Sequence, residues 1–146
     1  MNEVMRSLWL MYNIERAAKS IYVAQVWAFR GSEIAETLRA AAANEQEHAD
    51  GLKSRIEELG GGTPRLGFIF AMGGAFLGFS TTLLGKMIVM KTDGWVERKA
   101  VNDYGTFLQK VNFDEKSVAL IQKNIEDEKR HIKNWSDSIE LLKNRK

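Results

Sequence analysis

A chain of 146 residues is the size of one domain and buries one core, which leaves no room for a second catalytic domain. Its 21 basic and 19 acidic residues set up no global field of the kind that nucleic acid selects, so no nucleic-acid partner is expected. The lack of any cysteine excludes disulfides, iron–sulfur clusters, rubredoxin-type metal knots and thiol nucleophiles, and leaves metal chemistry to carboxylates and histidine.

Residues 1–10 carry Glu3 and Arg6 and lack a clean apolar run with a small-residue cleavage site, so no signal peptide is read and a cytoplasmic location is expected. A first helix is predicted over 3–29. Along it Leu8, Met11, Glu15, Ala18, Tyr22, Gln25 and Phe29 alternate steps of three and four, the period of a seam that faces other helices. Gly31 and Ser32 break this helix, and Ser32 suits the N-cap of a second one over 33–59 with the stripe Ile34, Leu38, Ala41, Glu45, His48 and Leu52. The run Gly60-Gly61-Gly62-Thr63-Pro64 contains the only proline, and its Thr-Pro pair is placed to open a further helical segment.

Residues 66–85 carry no charge, a length at which a membrane-spanning helix must be considered. Gly74 and Gly78 form a GxxxG pair within it. A true span would put the second and the following helix on opposite sides of a bilayer and part their glutamates, so spanning is disfavoured. In a ferritin-like bundle, two antiparallel helix pairs are joined by one long crossover, and residues 60–86 are long enough to supply it. Phe68, Ile69, Phe70, Phe76, Leu77 and Phe79 give it more apolar surface than a connector needs. It is therefore expected to lie in a membrane interface or against a second copy of the chain, making a peripheral membrane protein and a homo-oligomer the expected states.

A third long helix is predicted over 86–111, with Met87, Met90, Gly94, Glu97, Val101, Tyr104, Leu108 and Val111 on its seam. After the break at 112–114, where Asp114 suits an N-cap, a last helix over 114–143 carries Ile121, Ile125, Glu128, His131, Trp135 and Ile139. Nothing reads as strand. The fold class is all-α, a ferritin-like four-helix bundle over residues 1–146 with a long apolar crossover between its second and third long helices.

Each of these four helices places a glutamate on its apolar side. The only two histidines, His48 and His131, each follow a glutamate by three positions, Glu45 and Glu128. Residues three apart share a helix face, so the carboxylate can bridge two ions while the imidazole binds one. Glu15 precedes Glu45 by 30 positions and Glu97 precedes Glu128 by 31, so the chain reads as an internal duplication. Tyr22 and Tyr104 each lie seven residues after Glu15 and Glu97, two turns along the same face, and are candidate catalytic residues acting from behind the ligands. Four carboxylates balance two Fe(II) ions, giving a neutral cluster that can be buried; manganese fits the same oxygen and imidazole donors. Read instead as solvated residues and core fillers, four unpaired carboxylates in four apolar seams would cost several kcal/mol each.

These residues resemble the demethoxyubiquinone hydroxylases, a family of membrane-associated di-iron monooxygenases, over nearly the whole chain. Glu15 followed by Ile21-Tyr22 and Gln25 is similar to the family's first ligand helix, and Glu45 with His48 to its first Glu-x-x-His. Leu83-Leu84-Gly85-Lys86, Met90 and Val96-Glu97 resemble the apolar segment leading into the third ligand, and Glu128 with His131 the second Glu-x-x-His. The resemblance implies a long-tailed quinone as substrate, O2 as oxidant and an external reductant for the iron pair. After Glu97 the family tends to carry histidines, whereas here Arg98-Lys99-Ala100-Val101-Asn102-Asp103 follows, which leaves room for another apolar substrate. The alternative is a rubrerythrin-like peroxide reductase or ferritin-like iron oxidase. Rubrerythrins usually add a carboxylate one turn before the third-helix ligand, and Gly94 stands there. A non-catalytic helical interaction module has no use for six such ligands.

Overall fold

The computed structural model describes residues 2–64 and 66–144, and these form five helices and no strand: α1 Glu3–Phe29, α2 Ala35–Glu58, α3 Gly67–Thr82, α4 Lys86–Lys110 and α5 Glu115–Asn144. At the start of α1, the Asn2 side chain accepts a hydrogen bond from the Met5 amide at 2.9 Å, satisfying one of the free N–H groups of the first turn. Asp114 caps α5 as its position predicted, with Oδ1 accepting from the Ser117 amide at 3.0 Å.

Ser32 does not cap α2. The chain makes a tight turn in which the Ser32 carbonyl accepts from the Ala35 amide at 3.1 Å. Helix α2 then begins at Ala35 with Ile34 at its N-cap and no side-chain cap bond. The turn is set by Ile34, which is drawn into the core, and this leaves the Ser32 hydroxyl too far back along the chain. At the other end of α2, Gly60 adopts φ 79°. The Gly60 and Gly61 amides donate to the Glu57 and Ile56 carbonyls, both at 2.9 Å, a closure that favours glycine because a side chain clashes at positive φ. Thr63 and Pro64 stand outside any helix, and α3 starts only at Gly67.

Helix α1 packs on α2, α4 on α5, and the pairs meet through α2 with α5 and α1 with α4. Helix α3 lies on α1 and α4, the side of the bundle away from the α2–α5 contact. It runs parallel to α1: Gly67 faces Asn13 and Arg16, Gly74 faces Ala17, and Gly78 faces Ile21. A Cβ at Gly74 would lie 2.9 Å from Ala17 Cα, and one at Gly78 would lie 2.8 Å from Ile21 Cα. The GxxxG pair therefore serves backbone-to-backbone packing on α1. The opposite face of α3 is apolar and exposed, from Leu66 through Phe68, Ile69 and Met72 to Phe76, which is 76% accessible. Among the described residues no helix is long and apolar enough to cross a membrane.

The core divides into two apolar clusters. One gathers Ala18, Tyr22, Leu38, Ala41, Met90 and Trp135, the other Leu8, Met11, Leu52, Ile56, Tyr104 and Ile121. On every long helix, the glutamate of the seam falls between a residue of one cluster and a residue of the other. The two clusters thus hold a polar layer between them at mid-bundle.

Candidate metal centre

That layer contains Glu15, Glu45, His48, Glu97, Glu128 and His131, all buried. Their donor atoms fall into two sets, Glu15, Glu45, His48 and Glu128 in one and Glu45, Glu97, Glu128 and His131 in the other, each within 4.8 Å of one another. Glu45 and Glu128 belong to both. The sets are built alike because the two helix pairs are built alike: each takes one histidine, one glutamate of its own and the two shared carboxylates.

Both imidazoles turn Nδ1 inward. His48 Nδ1 lies 3.7, 3.5 and 3.2 Å from carboxylate oxygens of Glu15, Glu45 and Glu128. His131 Nδ1 lies 3.2, 3.3 and 3.2 Å from oxygens of Glu45, Glu97 and Glu128. The tyrosines cross over between the halves: Tyr22 of α1 donates its hydroxyl to Glu97 of α4, and Tyr104 of α4 donates to Glu15 of α1. Each phenol orients the unshared glutamate of the other half. Both hydroxyls thus bond a glutamate of the layer, each on the facing helix and not the glutamate seven residues before it on its own helix.

Two features escaped the sequence reading. Asp127, adjacent to Glu128, meets His48 Nε2 at 3.1 Å and is itself held by Lys123 at 3.1 Å and by Arg130. A carboxylate behind an imidazole fixes its tautomer and turns its other nitrogen toward the metal position. A conspicuous signal for it was the acid directly preceding Glu128. Asp93, one turn before Glu97, is fully buried and accepts from Gln25 Nε2 at 2.8 Å, while Gln25 also reaches Thr81 Oγ1 at 3.1 Å. This network ties α1, α3 and α4 together above the polar layer. A search three residues before Glu97 lands on Gly94; the buried acid is four residues before.

The charges of the layer explain its protons. Burial, then the neighbouring charge of Glu45, raises the Glu15 carboxyl well above the usual carboxylate range, and burial with Glu128 does the same to Glu97. Burial also acts to raise Glu45, but contact with His131 and His48 overrides it and brings the carboxyl down to about 2. For His131, burial favours the neutral ring, yet contact with Glu128, Glu45 and Glu97 pushes it up to about 12; His48 is raised by the same kind of contact. Protons thus do the balancing that two divalent cations would do. The donor set fits such ions: both Glu45 oxygens, Glu128 Oε1 and His48 Nδ1 are buried and face one another or His131 Nδ1 at 3.2–3.5 Å without an aligned hydrogen bond, an arrangement that is costly unless a cation completes it.

On the α2–α5 side, a groove of about 670 Å³ is lined by Ala41, Asn44, His131 and Trp135. His131 is 9% accessible against 1% for His48, so the layer approaches solvent on the face away from α3.

The family model of the ubiquinone biosynthesis protein COQ7 matches residues 13–143, a span that holds all six layer residues and both tyrosines. The 3-demethoxyubiquinol 3-hydroxylase of Nitrosococcus oceani is 31% identical over 125 residues, 80% of this chain and 55% of that protein. The chain spans about half the length of the curated relative it matches.

Proposed function

The chain belongs to the ubiquinone biosynthesis protein COQ7 family, and on that premise we propose that it is a di-iron monooxygenase that hydroxylates the ring of a demethoxyubiquinol-type substrate at a membrane surface. The observation that carries this reading is the pair of overlapping buried donor sets that share Glu45 and Glu128 inside the segment the family matches. Glu15 and His48 would complete one iron position, and Glu97 and His131 the other. When bound, the iron pair supplies activation of O2, one atom of which enters a ring C–H bond while the other leaves as water with two electrons and two protons from an external reductant.

The chain's own residues set the conditions for that chemistry. Tyr104 and Tyr22 hold Glu15 and Glu97 in place, and Asp127 holds the His48 ring. The two apolar clusters above and below exclude bulk water, which strengthens each of these contacts. The groove at His131 leaves a water-facing approach for the reductant.

The exposed face of α3 supports the membrane part of the reading, with Phe68, Phe70, Met72, Phe76 and Phe79 together on the surface, a patch larger than isolated surface residues would give. A long-tailed substrate is delivered from such a surface without crossing water. Phe70→Asp and Phe76→Asp should release the protein from liposomes without removing iron, and sedimentation in detergent-free buffer distinguishes lipid from a second copy of the chain as what the face covers. The chemistry is tested by anaerobic Fe(II) loading, then O2 with a short-chain demethoxyubiquinol. Hydroxylated product is the expected result; turnover of peroxide with no hydroxylation would return the site to the peroxide-reductase reading.

A further inference from the structure

Resting on the membrane part of the proposed function, we propose that the groove between α1, α2 and α3 binds the headgroup of an anionic phospholipid, with Arg16 and Lys19 on its phosphate and its acyl chain toward Val23 and Trp27.

Tyr12, Arg16, Lys19, Val23 and Trp27 follow one another at steps of four and three along the outer stripe of α1, so the stripe is basic at one end and apolar at the other. They line a groove of about 610 Å³ whose far wall is Ala71 and Ala75 of α3. Those small side chains leave a channel where the neighbouring phenylalanines of α3 would fill it. Val23 and Trp27 are 51% and 65% accessible, and Phe70, Met72 and Phe76, the chain neighbours of the groove's Ala71 and Ala75, are exposed as well, so the groove opens beside apolar side chains that would meet lipid.

Arg16 and Lys19 are half-buried, and among the described residues neither forms an ion pair. Every basic residue of α2, by contrast, is paired: Arg39 with Glu36, Lys53 with Glu57, Arg55 with Glu58 and Asp114. Among the described residues the Lys19 ammonium donates only to the Gln46 amide oxygen, and Arg16 stands 5.7 Å from the centre of the Tyr12 ring. One acid reaches the groove, Asp50, and it accepts from the Gln46 amide at 2.8 Å, one residue removed from Lys19. Two partly desolvated cations against one carboxylate leave a deficit of negative charge, and a phosphodiester satisfies it with charge-assisted hydrogen bonds. Apolar surface next to unpaired cations selects an amphiphile over a free anion, and a bilayer supplies anionic lipid at that depth.

The test is flotation of the metal-loaded full chain with phosphatidylcholine vesicles and with the same vesicles containing phosphatidylglycerol. Binding should rise with the anionic lipid. The double variant Arg16→Gln, Lys19→Gln should lose about thirtyfold of its affinity for the anionic vesicles, keep its binding to phosphatidylcholine, and keep its helical circular dichroism and metal content. Removing the same charge from α5, as Lys129→Gln with Lys133→Gln, should leave binding unchanged. Equal flotation with both vesicle types would overturn the headgroup site while the membrane reading stands. An equal loss in the α5 control would also overturn it, by making the preference one of overall charge. Absence of flotation with either vesicle would instead remove the membrane reading on which the site rests.

Discussion

At the scale of single residues, positions that bind nothing in the donor sets are as informative as those that do. Asp127→Asn leaves His48 Nε2 beside an amide instead of a carboxylate, so metal affinity should fall by about 10- to 100-fold, read by competition with a chelator of known affinity, while the fold is kept. Asp93 makes a separate prediction. Burial raises its carboxyl to about 8 from the ordinary 3.8, against the opposing hydrogen bond from Gln25. Between pH 3.8 and about 8 the folded chain keeps a proton that the unfolded chain has lost, so the wild type loses stability as pH rises through that window. Asp93→Asn removes this loss. Its stability relative to wild type should grow with pH up to about 8 and level off above, by a few kcal/mol in all, measured by urea unfolding at matched metal content. A constant difference across that range would mean Asp93 titrates normally.

At the scale of elements, α3 separates two neighbouring glycines by sign. Gly74 faces the Ala17 backbone, which cannot swing aside, whereas a Cβ at Gly73 meets nothing within 4 Å. Gly74→Val should push α3 off α1 and cost at least about 1–3 kcal/mol. Gly73→Ala should stabilise by about 0.5–1 kcal/mol through helix propensity alone. Denaturant midpoints check both, and both variants should retain metal, since α3 contributes no residue to the donor sets. The helix boundaries themselves were legible from capping chemistry where a local side chain decides them, as at Asp114. They were not at Ser32, because burial of Ile34 sets the turn there.

For the whole molecule, the protons that balance the layer must leave when cations enter. His131, His48, Glu15 and Glu97 are all raised, so metal binding should release protons and tighten as pH rises. Titration calorimetry in buffers of different ionisation enthalpy reads that release directly; a result independent of buffer would contradict the charge state derived above. Because the ions would tie four helices together, their removal by a chelator should lower the melting temperature. An unchanged melting curve after verified removal would argue against a centre in the bundle core.

The sequence alone determined the helical class, four of the seams and the six-residue constellation, since those depend on periodicity and on the three-residue spacing of Glu45 with His48 and Glu128 with His131. It also carried the matching 30- and 31-residue offsets that read as a duplication, and with them the expectation that Tyr22 and Tyr104 serve matching places. What only the tertiary structure decided is which half each residue serves. Tyr22 reaches Glu97 and Tyr104 reaches Glu15, a crossing that no spacing within one helix encodes. Asp127 behind His48 and Gln25 against Asp93 likewise join residues 79 and 68 positions apart. Periodicity assigns a residue to a face, but the partner on the facing helix depends on the angle and register at which two helices pack, which are set by the fit of the whole core.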